Sequence, residues 1–216
     1  MCLFVSFKNI TFESIIKLML QPTSALVLKV SKLLSDLFNP MNSLIVYFII
    51  FSIKTQSLLE SAKNFLHLFF IIILPISLWI YYHVKNKKYT DADVSDRTQR
   101  KSLYFFIAAC MVAYLMFIYF RQDRIDWVAA FLLLLLLIVL QISNYFIKSS
   151  MHTALNIFVA ALFLPLQPIL AFTWLCIAII VGITRVVLKR HTIAEVLSGS
   201  AIASFISFIY LYIQIQ

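Results

Sequence analysis

The sequence predicts an all-α protein, a polytopic membrane helix bundle of six to seven transmembrane helices with an N-terminal interfacial helix. Three observations carry this. Of 216 residues, 62% are hydrophobic and only 12% charged, and the mean hydropathy is +0.96. That balance belongs to membrane proteins, not to soluble domains of this size. Apolar runs of spanning length recur from about residue 41 to the C-terminus. The few charges collect in the short segments between those runs.

Residues 1–38 read as an interfacial amphipathic segment and residues 39–216 as the membrane-embedded helical domain. From Ser24 to Phe38, Leu26, Val30, Leu33, Leu34 and Leu37 recur at helical spacing, with Lys29, Lys32 and Asp36 on the other face. Asn39-Pro40 ends that helix. The first span runs from about Met41 to Leu59, with Lys54 near its end and able to snorkel. The second runs from Phe65 to about Val84 and carries Pro75, a kink signal. His67 and His83 near its two ends read as interfacial histidines. Spans follow over Ser102 to Phe120, Trp127 to Ile147, the stretch from Lys148 to Pro168, Ile169 to Leu188, and Thr192 to Ile213.

The net charge of +9 suits anionic headgroups, and so little soluble surface speaks against nucleic acid as a partner. Glycine is rare (2 residues), so small-residue helix crossings are not expected as a general theme. Cys2, Cys110 and Cys176 lie far apart and read as packing residues. No basic region followed by an apolar run and a small-residue cleavage site opens the chain, so no signal peptide is expected.

Chemistry concentrates in three polar clusters. Residues 182–199 hold Arg185, His191 six positions later and Glu195 four beyond that, between two spans. An ionisable group at the membrane edge is a functional hypothesis by default. Arg185 and His191 can hold an anion, and Glu195, one helical turn past His191, can orient its imidazole. Thr192-x-x-Glu195 is also a capping box, which by itself explains a glutamate there. The second cluster, residues 85–101, has Asp91, Asp93 and Asp96. Their alternation resembles a calcium loop but lacks its glycine and distal glutamate, so no metal and no cofactor is expected. A helix starting at Ser95 or Asp96 puts Arg97 and Arg100 on one face, a two-guanidinium clamp suited to phosphate. In the third cluster Ser149 and Ser150 are N-caps, and such a helix start also attracts anions. His152 in its first turn is unfavourable to the helix dipole unless an anion is bound. Counting crossings from the 85–101 loop brings all three clusters to one membrane face.

This set resembles the type-2 phosphatidic acid phosphatase superfamily, integral-membrane relatives of the vanadium haloperoxidases. That family's third motif is Ser-Arg, five residues, His, three residues, Asp; Thr184-Arg185, His191 and Glu195 keep the spacing, with Thr for Ser and Glu for Asp. Its second, Pro-Ser-Gly-His, is matched by Ser149-Ser150-Met151-His152, which loses the proline and glycine. Its first, Lys, six residues, Arg-Pro, aligns with Asp93, Arg100 and Lys101, so an aspartate stands where the lysine belongs; Lys87 or Lys88 are the substitute cations at hand. The resemblance covers residue 39 to the C-terminus. It implies metal-independent hydrolysis of a membrane lipid phosphate. In it His191 is the nucleophile, Glu195 its orienting partner and His152 the proton donor to the leaving group. Arg185, Arg100 or Arg97, and N–H groups near Ser150 cradle the phosphoryl oxygens. Non-catalytic lipid binding, transport and phosphoryl transfer to an alcohol stay open as alternatives.

Of the 18 lysines and arginines, only Lys54, Lys63, Arg121 and Arg124 fall on the face opposite the clusters. The retention of Lys and Arg on the cytoplasmic side therefore predicts a cytoplasmic site in a multi-pass protein, expected in a bacterial inner membrane.

Overall fold

A computed structural model describes residues 24–94, 96–121 and 126–216. Expectations resting on Cys2, Lys8, Lys17, Ser95 and the turn at 122–125 lie outside these residues. The described chain is all helical.

Helix α1 is Ala25–Leu37, capped by Ser24, whose hydroxyl accepts from the Val27 N–H at 3.3 Å. The apolar stripe the periodicity predicts is real, but it faces outward: Leu26, Val30, Leu33 and Leu37 are exposed, whereas Ser31 and Ser35 are buried. An apolar stripe on the outside is stable against lipid; Lys29, Lys32 and Asp36 are exposed as well, and the small side chains of Ser31 and Ser35 are turned in to meet the bundle. Helix α2, Pro40–Thr55, follows a bend of 47°. Asn39 caps it through the Asn42 N–H at 2.9 Å, and Pro40 sits in the first turn, where its missing N–H costs nothing.

The second span starts seven residues earlier than expected. Ser57 and Glu60 form a full capping box, so helix α3, Leu58–Leu68, restarts at once. A π-helical turn, Phe69–Ile73, joins it to α4, Leu74–Lys85. Pro75 explains the widened turn, because its ring and missing N–H disrupt the regular bond to the carbonyl of Ile71, inside that turn. Lys54 does not snorkel; its Nζ donates to the Gln167 side chain at 2.8 Å.

The remaining helices are α5 (Arg97–Arg121), α6 (Trp127–Ser143), α7 (Met151–Phe163), α8 (Pro168–Val187) and α9 (Ile193–Ile215). Among the described residues, four helical segments are long and apolar enough to cross a membrane: Leu58–Lys85, α5, α8 and α9. The bent α1–α2 pair makes up to five. With 17 and 13 residues, α6 and α7 are shorter apolar helices, below the roughly 20 residues that a 30 Å hydrocarbon layer asks of a single helix.

The shortness of α7 follows from its place. It is the core of the bundle, packed by α2, α8 and α9, with Ala154, Phe158, Val159 and Phe163 fully buried. Helix α7 also carries the buried Asn156, whose side chain makes four hydrogen bonds. Its Oδ1 accepts from Ser43 Oγ (2.8 Å) and Trp174 Nε1 (3.2 Å), and its Nδ2 donates to the carbonyls of Phe38 (3.0 Å) and His152 (2.8 Å). A buried amide with every bond made pins α2, α7 and α8 in one register.

Long-range contacts gather at the two ends of the bundle. One end joins the 85–97 segment, the 144–152 segment and residues 185–195. The other joins Lys54 to Gln167 and Asp126 to Tyr210, whose hydroxyl donates to the carboxylate at 2.9 Å. Large apolar side chains such as Phe105, Phe120, Phe172, Phe205 and Phe208 face outward, as compatible with an integral membrane protein. Cys110 is buried, as expected of a packing residue, but Cys176 is exposed on the outer face of α8.

Candidate functional site

The α8–α9 connection is built from the sequence outward. Helix α8 stops at Val187, Lys189 takes a left-handed backbone (φ 55°), and the N–H groups of Arg190 and His191 both return to the Arg185 carbonyl. Thr192 then caps α9, with Glu195 completing the box. The two readings of Glu195 hold together. Its Oε2 accepts from the Thr192 N–H at 3.2 Å and also lies 2.8 Å from Nδ1 of His191.

That contact fixes the imidazole. With Nδ1–H donating to Glu195, the lone pair is on Nε2, where the Arg100 guanidinium donates at 3.2 Å. The ring is wholly buried. Burial first, and then the charges of Arg100, Arg185, Lys148 and His152, push its pKa down to about 2. His191 is therefore a neutral imidazole with a lone pair at Nε2, the form a nucleophile needs.

Stability should follow pH accordingly. The depressed value means the unfolded chain binds a proton the folded one refuses, so His191 costs stability progressively as pH falls below 6.5. Asp93 adds loss at lower pH: burial raises its pKa, but the His152 hydrogen bond and Arg185 outweigh that and hold it below the carboxylate range. Melting in detergent should fall from pH 6.5 downward by up to about 1.4 kcal/mol per pH unit for each proton taken up. A flat profile between pH 6.5 and 5 would contradict a buried neutral His191.

Arg100 and Arg97 part company. Arg100 is buried, donating Nε to the Val94 carbonyl (2.9 Å) and NH1 to Ser149 (3.4 Å) as well as NH2 to His191. Arg97 points elsewhere, to the carbonyls of Asn144 (2.6 Å) and Tyr145 at the end of α6. The expected two-arginine clamp is thus not formed, and Arg97 serves as a helix C-cap. Three-residue spacing puts the two on one helix flank, but the α6 end intercepts the nearer one.

Arg185 is 1% exposed. Its NH1 donates to Ser35 Oγ (3.0 Å) and to Asp93 Oδ2 (2.6 Å), while its Nε and NH2 have no hydrogen-bond partner among the described residues. The other Asp93 oxygen takes His152 Nε2 at 3.0 Å. The aspartate in the lysine position therefore lies in the site, and Lys87 and Lys88 do not; Lys88 instead lies over the Tyr82 ring. The three acids turn to different partners. Asp91 pairs with Arg190 (2.8 Å), Asp93 with Arg185, and Asp96 caps α5 through the Thr98 and Gln99 N–H groups. His83 stacks with Trp79 and Tyr89, and His67 with Phe117.

Ser150 differs from expectation. It caps α7, but its own N–H is taken by the Glu195 carbonyl at 2.9 Å, so it offers no free donor. This bond locks the start of α7 to the start of α9. Gly199 makes it possible: a Cβ there would lie 2.6 Å from the Ser150 carbonyl oxygen. Gly182 likewise lies against Val196 and Thr153. Rare as glycine is, both glycines sit where α7, α8 and α9 cross near the site. Gly199→Ala should displace Glu195 relative to His152 and lower turnover on the order of 10²-fold, the scale of an ångström of misplacement, with the helical content kept. Turnover within threefold of the parent would show that this contact does not set the site.

Ser35 and Asp93 are the residues that the sequence reading assigned no binding role. Asp93 had a signal, its register seven before Arg100; Ser35 had none. Comparison of the chain with family models, with curated proteins and with solved structures gave no match.

An apolar cleft of about 620 Å³ runs between α2, α4, α5, α6 and α7. Asp93 and His152 line it at one end and Asp126 and Tyr47 at the other, with Leu44, Ile72, Leu133 and Leu155 among its walls. Its size is that of a small-molecule site.

Proposed function

We propose that this protein is a metal-independent lipid phosphatase that acts on a phosphate monoester or diphosphate through a phosphohistidine. The observation that carries the reading is the His191 imidazole, held at Nδ1 by Glu195 and facing a guanidinium at Nε2, with a second buried arginine and a second histidine alongside. Three sequence-distant segments supply these groups, at the spacings of the resembled motifs. In this reading α6 and α7 complete six to seven crossings, because a helix buried among others need not match the bilayer alone. The multi-pass protein belongs to a bacterial inner membrane.

In the reaction, Nε2 of His191 attacks phosphorus as the ester P–O bond breaks, and His152 gives its proton to the leaving oxygen. Arg100 turns from Nε2 to the phosphoryl oxygens, and Arg185 meets them from the other side. Water, deprotonated by His152, then attacks phosphorus and breaks the P–N bond. Guanidinium groups supply the positive charge a metal would otherwise bring. The cleft suits a hydrocarbon tail, which favours a lipid over a soluble phosphate.

Asp93 bridging Arg185 and His152 favours a second reading, a non-catalytic lipid-phosphate binder or transporter. Purified protein in detergent, offered phosphatidic acid, phosphatidylglycerophosphate and a prenyl diphosphate, separates the two. Phosphate release that persists in EDTA supports the phosphatase; binding without release supports the second reading. Release that appears only with an added alcohol acceptor, as a phosphorylated alcohol, marks a phosphotransferase.

A further inference from the structure

We propose that the Asp93 carboxylate occupies the subsite of the substrate's phosphoryl group, so that the segment around Asp91–Val94 is an internal latch that an anionic headgroup displaces. This rests on the phosphoryl reading of the site and adds how the site is closed.

Four observations carry it. The carboxylate spans the two groups an incoming oxyanion needs, with one oxygen 2.6 Å from Arg185 NH1 and the other 3.0 Å from His152 Nε2. A carboxylate has two oxygens and satisfies one guanidinium nitrogen here; among the described residues Arg185 Nε and NH2 meet no partner, although the residue is 1% exposed. Unmet buried donors are costly, and a tetrahedral oxyanion has the extra oxygens to meet them. Of the site's groups, only Asp93 and His152 line the cleft; Arg100, Arg185 and His191 do not, and are at most 5% exposed. With Asp93 in place, Arg185 and His152 are engaged by its carboxylate, and the nucleophile and both guanidinium groups lie off the cleft.

The fourth observation concerns the segment itself. Val94 has φ 47°, a left-handed backbone that is a genuine outlier for a β-branched residue and is strained there. Its side chain is fully buried against Leu103 and Tyr89, and its carbonyl holds Arg100. The segment is thus held in a strained form by the contacts it makes in the closed site. Lifting Asp93 frees Arg185 and His152, and it releases that backbone.

Orthovanadate, an oxyanion of phosphoryl geometry, is the probe, used on the full chain in detergent. Asp93→Asn should bind vanadate about tenfold or more tighter than the parent, since removing an internal competitor raises the competent fraction. The same variant should lower KM for the lipid phosphate. Lys54→Gln, which alters a hydrogen bond to Gln167 at the opposite end of the bundle, serves as the control and should change neither. Equal or weaker vanadate binding by Asp93→Asn, with the parent binding, overturns the latch and leaves the phosphoryl reading standing. No vanadate binding by either protein overturns the phosphoryl reading and the latch with it. A second measurement keeps Asp93 intact. In a background lacking Cys2, Cys110 and Cys176, Val94→Cys should be labelled by maleimide about tenfold faster when vanadate is saturating. No acceleration overturns the latch, whatever the behaviour of Asp93→Asn.

Discussion

His191→Asn should abolish turnover, by about 10⁴-fold or more, the scale on which a covalent nucleophile is lost. The protein should remain folded. Asn keeps a polar side chain where the ring nitrogens bond Glu195 and Arg100, and the capping box of Thr192 and Glu195 persists without the imidazole. Leaving two polar partners to find new bonds costs about 1–3 kcal/mol, enough to lower the melting temperature but not to unfold a helix bundle. Turnover and melting measured on one preparation separate the two effects. A variant that keeps a tenth of the parent rate would show that another group attacks phosphorus.

Arg100→Ala should be the second large loss, about 3 kcal/mol or more in transition-state stabilisation. The guanidinium is buried, touches the nucleophile's attacking nitrogen and also ties Val94 to Ser149, so both charge and position are lost. Arg97→Ala should leave turnover within a few-fold. It removes the contacts to Asn144 and Tyr145, costing about 0.5–1 kcal/mol of stability at the end of α6. Assaying kcat/KM for both variants checks this, and a greater loss at Arg97 would place the wrong arginine in the site.

These two arginines show what the sequence made legible and what it did not. Spacing located the Arg185, His191 and Glu195 set because those residues share one short connection, where geometry follows from helix ends. It located the 85–101 and 149–152 clusters at the same end because crossings can be counted. It did not separate Arg97 from Arg100, since the carbonyls that intercept Arg97 come from a helix end 47 residues away. Ser35 was invisible for the same reason: its partner, Arg185, is 150 residues distant. The α1 stripe was read correctly, but its direction depends on whether lipid or protein lies beyond it, and periodicity is silent on that. Ser150 was a sound cap, yet its N–H was spoken for by a neighbour that Gly199 admits. The number of crossings was read from apolar runs. Helices α6 and α7 fall short of spanning length, α7 because it is buried in the core of the bundle.

The central claim is covalent chemistry at His191, and trapping the intermediate tests it most directly. The purified protein is mixed with a lipid phosphate labelled with ³²P and quenched in alkali, where phosphohistidine survives and acyl phosphates do not. The account predicts label on the peptide that contains His191, lost under acid and absent from His191→Asn. Label on a different residue, or steady phosphate release with no label at any quench time, would contradict it.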